Sequence, residues 1–143
     1  MKDITLKIIG KQFSAENDGH DQMEFITEGK LYEKNGSTYL IYEESEFSGM
    51  PGCKTSLKLT GECIRMKRIG SGAAFGAEFV FEKGKRFRSN YKTPYGVFAM
   101  EVLTNDVINN LSEEGLGDIH IDYHISLSGM TEGRNCLSIE VTQ

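Results

Sequence analysis

Residues 117–127 read GDIHIDYHISL, where isoleucine, tyrosine and leucine alternate with aspartate, histidine and serine. Successive side chains of a β-strand point to opposite faces of a sheet, so a period of two predicts a strand with one apolar and one polar face. Such a strand is typical of an antiparallel sheet that covers a core on one side and meets water on the other. The stretch therefore predicts an antiparallel all-β protein.

The same alternation recurs along the chain between turn signals. Sixteen glycines and two prolines separate short apolar runs, and Asn35-Gly36 is typical of a type I′ hairpin turn. Residues 105–117 fit either one helical turn or a continuing strand, and their asparagines and β-branched residues favour a strand. The predicted strands are 3–9, 22–34, 37–46, 54–60, 62–69, 75–82, 85–91, 96–104, 117–127 and 134–142.

Short turns make sequence neighbours antiparallel neighbours in space. An open meander of nine or ten strands would expose two long edges, which closure into a barrel removes. We therefore expect one domain, residues 1–143, folded as an antiparallel up-and-down β-barrel of about eight to ten strands.

Composition excludes several classes of partner. A net charge of −5 argues against nucleic-acid binding, and the basic stretch KGKRFR at 83–88 is interpreted as a solvated turn. No window has the apolar length of a signal peptide or a membrane span. The three cysteines, Cys53, Cys63 and Cys136, match no zinc pattern. We expect a cytoplasmic protein with reduced thiols, no cofactor and no membrane partner.

Three polar residues share the phase of apolar neighbours and are therefore predicted to face the interior: Glu44, Arg68 and Tyr91. A buried arginine needs a carboxylate, for which Glu44 is the first candidate and Glu101 the second. One interpretation is a salt bridge that closes one barrel end. The other is a polar anchor in a ligand cavity, because guanidinium grips carboxylate or phosphate with two parallel hydrogen bonds.

The polar face of 117–127 carries Asp118, His120, Asp122 and His124. Two histidines at this spacing could bind a metal, but zinc would need a further ligand, and the other histidine is His20 in a predicted loop. The solvated-face interpretation is favoured, so no metal site is predicted. No serine lies in a nucleophile elbow and no glycine pattern fits a phosphate loop, so no catalytic residue is assigned.

The runs YLIYEE (39–44), TSLKL (55–59) and NYKTPYG (90–96), with Arg68 and the 117–127 strand, resemble the YwiB-like family of small bacterial proteins, a domain of unknown function. The resemblance covers nearly the whole chain. It implies a calycin-like barrel similar to lipocalins and fatty-acid-binding proteins, and it implies no activity. The positions that look like the family signature are Tyr42, Glu44, Arg68, Tyr91, Thr93 and Tyr123.

The leading functional hypothesis is a non-enzymatic barrel that binds a small amphipathic or anionic ligand in its interior. Arg68 would hold the head group, Tyr42, Tyr91 and Tyr123 would donate hydrogen bonds, and Glu44 and Thr93 complete the predicted site. The alternative is a barrel filled by its own side chains, acting as a structural or protein-interaction module. A homodimer is possible under either hypothesis, and an enzyme ranks last.

Overall fold

The computed structural model describes residues 2–13, 20–43, 54–69, 76–93, 96–127 and 131–143. These residues form ten strands, within the nine or ten that the alternation predicts. Their bounds are β1 (Lys2–Phe13), β2 (His20–Lys34), β3 (Ser37–Glu43), β4 (Lys54–Thr60), β5 (Cys63–Ile69), β6 (Gly76–Phe81), β7 (Arg86–Thr93), β8 (Gly96–Asn109), β9 (Gly117–Leu127) and β10 (Thr131–Thr142). Within the described ranges, no helix is long and apolar enough to cross a membrane.

The strands follow one another around a closed barrel, each antiparallel to its sequence neighbours. β10 returns to β1, with Val141 opposite Leu6 and Ile139 opposite Ile8, and this last pairing closes the wall. Closure removes the sheet edges that an open meander would expose. The predicted antiparallel up-and-down barrel is confirmed.

The turns agree with the sequence chemistry. Asn35 and Gly36 have φ angles of 53° and 80°, as a type I′ turn requires. The ambiguous segment 105–117 is resolved toward a strand, because β8 continues to Asn109 before the chain turns. The predicted connection 46–53 lies outside the described residues, as do Glu44 and Phe75.

The barrel has two distinguishable ends. At the turn end, the strands are joined by 35–36, 61–62, 82–85 and 110–116. At the opposite end, called the connection end, the strands are joined by 14–19, 44–53, 70–75, 94–95 and 128–130, which lie outside the described residues.

The apolar faces of the strands point inward and form one buried cluster, as the alternation predicts. Its members include Leu40, Leu57, Ile64, Phe81, Met100 and Val102. Burying such side chains stabilises the fold by roughly 1.5–3 kcal/mol each relative to leaving them exposed. The centre of the barrel is therefore packed with protein side chains.

Segment 110–116 covers the turn end. Leu111 and Leu116 pack against the buried cluster, and the Asn110 amide donates to the Asp118 carbonyl at 2.9 Å. Gly115 is buried with φ of 82°, and a Cβ there would lie 2.5 Å from the Leu31 Cδ1 methyl. The positive φ favours glycine, and a methyl group at this position would force the Leu31 side chain to move. The turn end is thus closed by apolar packing.

Candidate functional site

A row of polar side chains lies inside the barrel toward the connection end. Strand register places Tyr42 opposite Thr55, and Thr55 opposite Arg68, on β3, β4 and β5. Tyr42 is 3% exposed, Thr55 is fully buried, and Arg68 is partly buried with its Nε atom shielded from solvent. All three take part in further interactions within the fold. We call these three residues row A.

A second polar row lies on the opposite wall. Thr104, Tyr123 and Asn135 are register partners on β8, β9 and β10. The Asn135 Nδ2 donates to the Tyr123 hydroxyl at 3.4 Å. We call these three residues row B. Two strands separate β5 from β8 on one side, and two separate β3 from β10 on the other, so row B faces row A across the interior.

Aromatic rings lie between the two rows. The Arg68 guanidinium lies 6.0 Å from the ring centre of Phe79, within reach of a cation–π interaction. Phe79 stacks on Phe81 at 5.9 Å, and Phe81 contacts Tyr123 at 4.8 Å between ring centres. These contacts join the rows into one polar and aromatic cluster.

Electrostatics also connect the rows. Burial raises the pKa of Tyr123 above its ordinary value, while the Asn135 hydrogen bond and the positive charge of Arg68 act in the opposite direction. The phenol is therefore neutral at physiological pH and can donate a hydrogen bond. Arg68 supplies a permanent positive charge close to that donor.

Thr104 in row B has a buried hydroxyl. Thr104 is 1% exposed, and its Oγ1 atom has no hydrogen-bond partner among the described residues. It precedes a β-bulge, because the pairing of β8 with β9 shifts between Thr104 and Asp106. A buried hydroxyl without a partner costs free energy, so this atom is a candidate contact for a bound polar group or water.

The structure brings three of the six sequence-predicted site residues together: Tyr42, Arg68 and Tyr123. Tyr91 and Thr93 lie on β7, where their backbones are opposite Phe98 and Gly96. The structure does not describe their side chains. Glu44 is outside the described residues as well.

The second candidate partner for Arg68 was wrong. Glu101 lies on the outer wall and binds Arg86 at 2.7 Å and Arg88 at 3.3 Å. Its phase on β8 is opposite to that of the buried neighbours Met100 and Val102, so its carboxylate points away from the interior.

Three further residues of the cluster were not singled out from sequence. Thr55 shares a face with Leu57 and Leu59, which was visible in the alternation, but a small hydroxyl gives no functional signal. Asn135 is in phase with the inward residues of β10. Thr104 could be assigned to row B only from the strand register.

The acidic and histidine face of β9 lies on the outer wall, as the solvated-face interpretation expects, but its side chains have protein partners. Asp122 receives two hydrogen bonds from Arg134, at 2.9 and 2.5 Å. His124 contacts the Asn105 amide at 3.0 Å. The described residues contain no group of three or more histidine, cysteine or acidic side chains that could hold a metal ion.

His120 on this face lies between Asp118 and Ser138. Its Nε2 is 2.5 Å from the Asp118 Oδ2, and its Nδ1 is 2.9 Å from the Ser138 Oγ.

Two described cysteines, Cys63 and Cys136, are free thiols. Burial raises the pKa of Cys136, and the neighbouring Asp122 carboxylate acts in the same direction. Cys136 is therefore not an activated thiolate.

The fold and the interior cluster define a small closed antiparallel barrel with two polar rows in its interior. A model of the family described as "Domain of unknown function (DUF1934)" matches residues 6–139, so the chain belongs to that family. A search of curated proteins found no match.

A crystal structure of the ywiB protein from Bacillus subtilis is similar to this chain, with a TM-score of 0.71 and 22% sequence identity. The similarity covers 99% of this chain and 92% of the other. At that identity the likeness shows the fold. The resemblance to YwiB-like proteins is confirmed.

Proposed function

We propose that the barrel binds a small amphipathic molecule with an anionic group, held at the connection end without chemical conversion. One observation carries the proposal: rows A and B face each other inside a barrel whose other inward residues are mainly apolar. Polar side chains gathered at one place in an apolar interior are typical of a site that orients a ligand.

Arg68 is the residue proposed to hold the anionic head. Its planar guanidinium can make two parallel hydrogen bonds to a carboxylate or phosphate. The partly buried position strengthens that interaction, because the surrounding dielectric is lower than that of water. Nearby hydroxyls of Tyr42, Thr55 and Tyr123 would add hydrogen bonds, and Phe79 and Phe81 would contact the apolar part.

The remaining sequence-predicted residues complete the proposed lining. We keep Tyr91, Thr93 and Glu44 in the proposed site because the sequence predicts them there. The proposal includes no nucleic acid, membrane surface or cofactor. The proposed location is the cytoplasm, and a homodimer is compatible with the proposal.

The packing of the barrel centre supports a second candidate function. Leu40, Leu57, Ile64 and Val102 are fully buried in the centre. A barrel filled in this way needs no ligand and would act as a structural or protein-interaction module through its surface.

Native mass spectrometry of protein purified from its natural host tests the two candidates first. A small molecule that co-purifies, and is released by denaturing extraction, supports the binding proposal and gives the ligand class. A clean apo mass favours the filled barrel.

A defined probe then tests the role of Arg68. Dodecanoate carries a carboxylate on a short alkyl chain, and dodecan-1-ol carries the same chain without charge. Arg68→Met should weaken dodecanoate binding by about 10–150-fold, since hydrogen bonds to charged groups contribute roughly 1.5–3 kcal/mol. Dodecan-1-ol binding should change little. Isothermal titration calorimetry measures both.

Lys67→Met is the matched control, because Lys67 is the exposed neighbour of Arg68 on β5 and carries the same charge. The control should bind dodecanoate as the parent protein does. Equal loss in both variants would assign the effect to net charge and contradict the proposal. Absence of dodecanoate binding, together with a melting temperature unchanged by ligand, would support the filled barrel.

A further inference from the structure

Asp118, His120 and Ser138 form a continuous chain of hydrogen bonds on the outer wall, here called the outer triad. Asp118 and His120 lie two residues apart on β9 and therefore share a face. Ser138 is the direct register partner of His120 on β10. Adjacent ladder positions hold the three side chains together, so rigid strands rather than loops set their geometry.

The contacts fit the tautomer of His120 that activates Ser138. With its proton on Nε2, the ring donates to the Asp118 Oδ2 at 2.5 Å, because a carboxylate oxygen accepts. The lone pair on Nδ1 then accepts from the Ser138 hydroxyl, whose oxygen is 2.9 Å away. This is the protonation pattern of an activated serine, with the two ring nitrogens exchanged relative to the usual protease arrangement.

The outer triad borders a depression of about 730 Å³, a size typical of small-molecule sites. Ile9 and Leu116 supply apolar surface in its lining, and Lys7 supplies a cation. The His120 and Asp118 side chains are 45% and 43% exposed, and Ser138 is half-buried, so all three are open to a molecule in the depression. The depression can therefore place a small substrate against the Ser138 hydroxyl.

Lys7 is placed to stabilise a developing negative charge. It is opposite Glu140, and Ile9 is opposite Ser138, so Lys7 is a diagonal neighbour of Ser138 on the same face. Its ammonium contacts Glu24 at 3.4 Å, with both side chains more than 40% exposed. Exposed ion pairs of this kind contribute only about 0–1 kcal/mol, so Lys7 can leave Glu24 for an oxyanion.

We propose that the outer triad is an acyl-transfer site for small esters with short apolar acyl chains. The Ser138 Oγ attacks the ester carbonyl carbon and its proton passes to the His120 Nδ1. The carbon–oxygen bond to the alcohol breaks, and the alcohol leaves with that proton. Water then attacks the acyl-serine, gives a proton to His120, and releases the carboxylic acid as Ser138 regains the proton.

Diisopropyl fluorophosphate tests Ser138 directly, because it phosphorylates an activated serine and releases fluoride. Intact-mass spectrometry of the full chain should show one diisopropylphosphoryl group, and peptide mapping should place it on Ser138. Labelling of the unmodified protein needs no variant, so a folding defect cannot obscure the result. Absence of an adduct on Ser138 after prolonged exposure would overturn the proposal.

Variants test the chain of contacts with p-nitrophenyl butyrate as substrate. Ser138→Ala should abolish hydrolysis, and His120→Gln should slow it by about 10²–10⁴-fold, the usual contribution of a general base. Ser126→Ala and His124→Gln, both on β9, are the matched controls and should keep the parental rate. Circular dichroism confirms that each variant folds.

Two outcomes contradict the acyl-transfer assignment. Equal hydrolysis by Ser138→Ala and the parent protein would show that the serine is not the nucleophile. Equal loss in the His124→Gln control would point to nonspecific imidazole chemistry. Ser138→Ala should leave dodecanoate binding at the connection end unchanged. The ligand-binding proposal and the acyl-transfer proposal can therefore fail independently of each other.

Discussion

The two ends of the barrel are built from different chemistry. At the turn end, Leu111 and Leu116 pack over the apolar cluster, and Gly115 makes room for Leu31. Toward the connection end, row A places hydroxyls and a guanidinium inside, and row B adds hydroxyls and an amide across the interior. Apolar packing contributes stability in proportion to buried area, whereas buried polar groups contribute little net stability even when paired. The turn end therefore stabilises the fold, and the connection end is where function can be placed.

The largest difference between the ends should appear when an apolar core side chain is truncated near the turn end. Ile119 is 1% exposed, on β9 just after segment 110–116. Ile119→Ala should lower the free energy of unfolding by about 2–5 kcal/mol, through lost transfer free energy and the cavity left behind. Urea denaturation measures the change. Val97→Ala, at a residue 62% exposed, is the control and should stay within about 0.5 kcal/mol.

Gly115→Ala should be the next most damaging change. The methyl group would meet Leu31, and the backbone φ of 82° disfavours any side chain. We expect a loss of about 2–4 kcal/mol in thermal or urea unfolding, from strain plus overpacking. Gly84→Ala has a similar φ of 77° with nothing within 4 Å, so it measures the backbone strain alone. Equal losses in the two variants would mean that Leu31 does not close the turn end.

A matched pair of threonine substitutions tests the polar rows. Thr55 and Thr104 are both buried, but only the Thr104 hydroxyl lacks a hydrogen-bond partner among the described residues. Thr55→Val should cost about 1 kcal/mol, the net contribution of a hydrogen bond. Thr104→Val should be neutral or stabilising by about 1 kcal/mol in the absence of ligand. A destabilised Thr104→Val variant would show that this hydroxyl is already satisfied.

The smallest effect concerns the outer wall and acid stability. Two opposing effects act on the pKa of Asp122. The hydrogen bonds from Arg134 lower it and are the larger effect, and partial burial raises it. A lowered folded pKa adds stability above the unfolded value near 4, and that stability is lost as pH falls through the folded pKa. Asp122→Asn should therefore destabilise the protein at pH 7 and make less difference at pH 3.

Melting temperatures at the two pH values check this prediction. Glu113→Gln, which removes an exposed carboxylate from the turn end, controls for the change in net charge. If Asp122→Asn lowers the melting temperature by the same amount at pH 7 and pH 3, ionisation of Asp122 does not contribute to the stability of the fold.

Much of the fold follows from local sequence. The period of two in 117–127, the Asn35-Gly36 turn and the spacing of glycines predict nine or ten antiparallel strands and their inward faces, because pleat and turn geometry are local properties. The sequence left two alternatives for 105–117, a helical turn or a continuing strand, because its local propensities are weak. Pairing of β8 with β9 extends the strand to Asn109.

The interior site was only partly predictable. Arg68 was predicted because a charged group in an apolar phase is visible in sequence, whereas Tyr42 and Tyr123 were predicted from the resemblance to the YwiB-like family. Glu101 was misassigned as a possible partner of Arg68, since sequence does not show which outer-wall arginines compete for it.

The sequence by itself determined the all-β class, the closed antiparallel barrel and the inward phase of each strand, because these depend on periods of two and on turns of a few residues. Only the tertiary structure decided that Thr55 lies between Tyr42 and Arg68, that row B faces row A, and that Ser138 meets His120. The first and last of these contacts depend on the exact register of neighbouring strands, and the second depends on closure of the barrel. A pattern of period two shows which face a residue lies on, but the residue opposite it depends on turn geometry and on packing across the sheet.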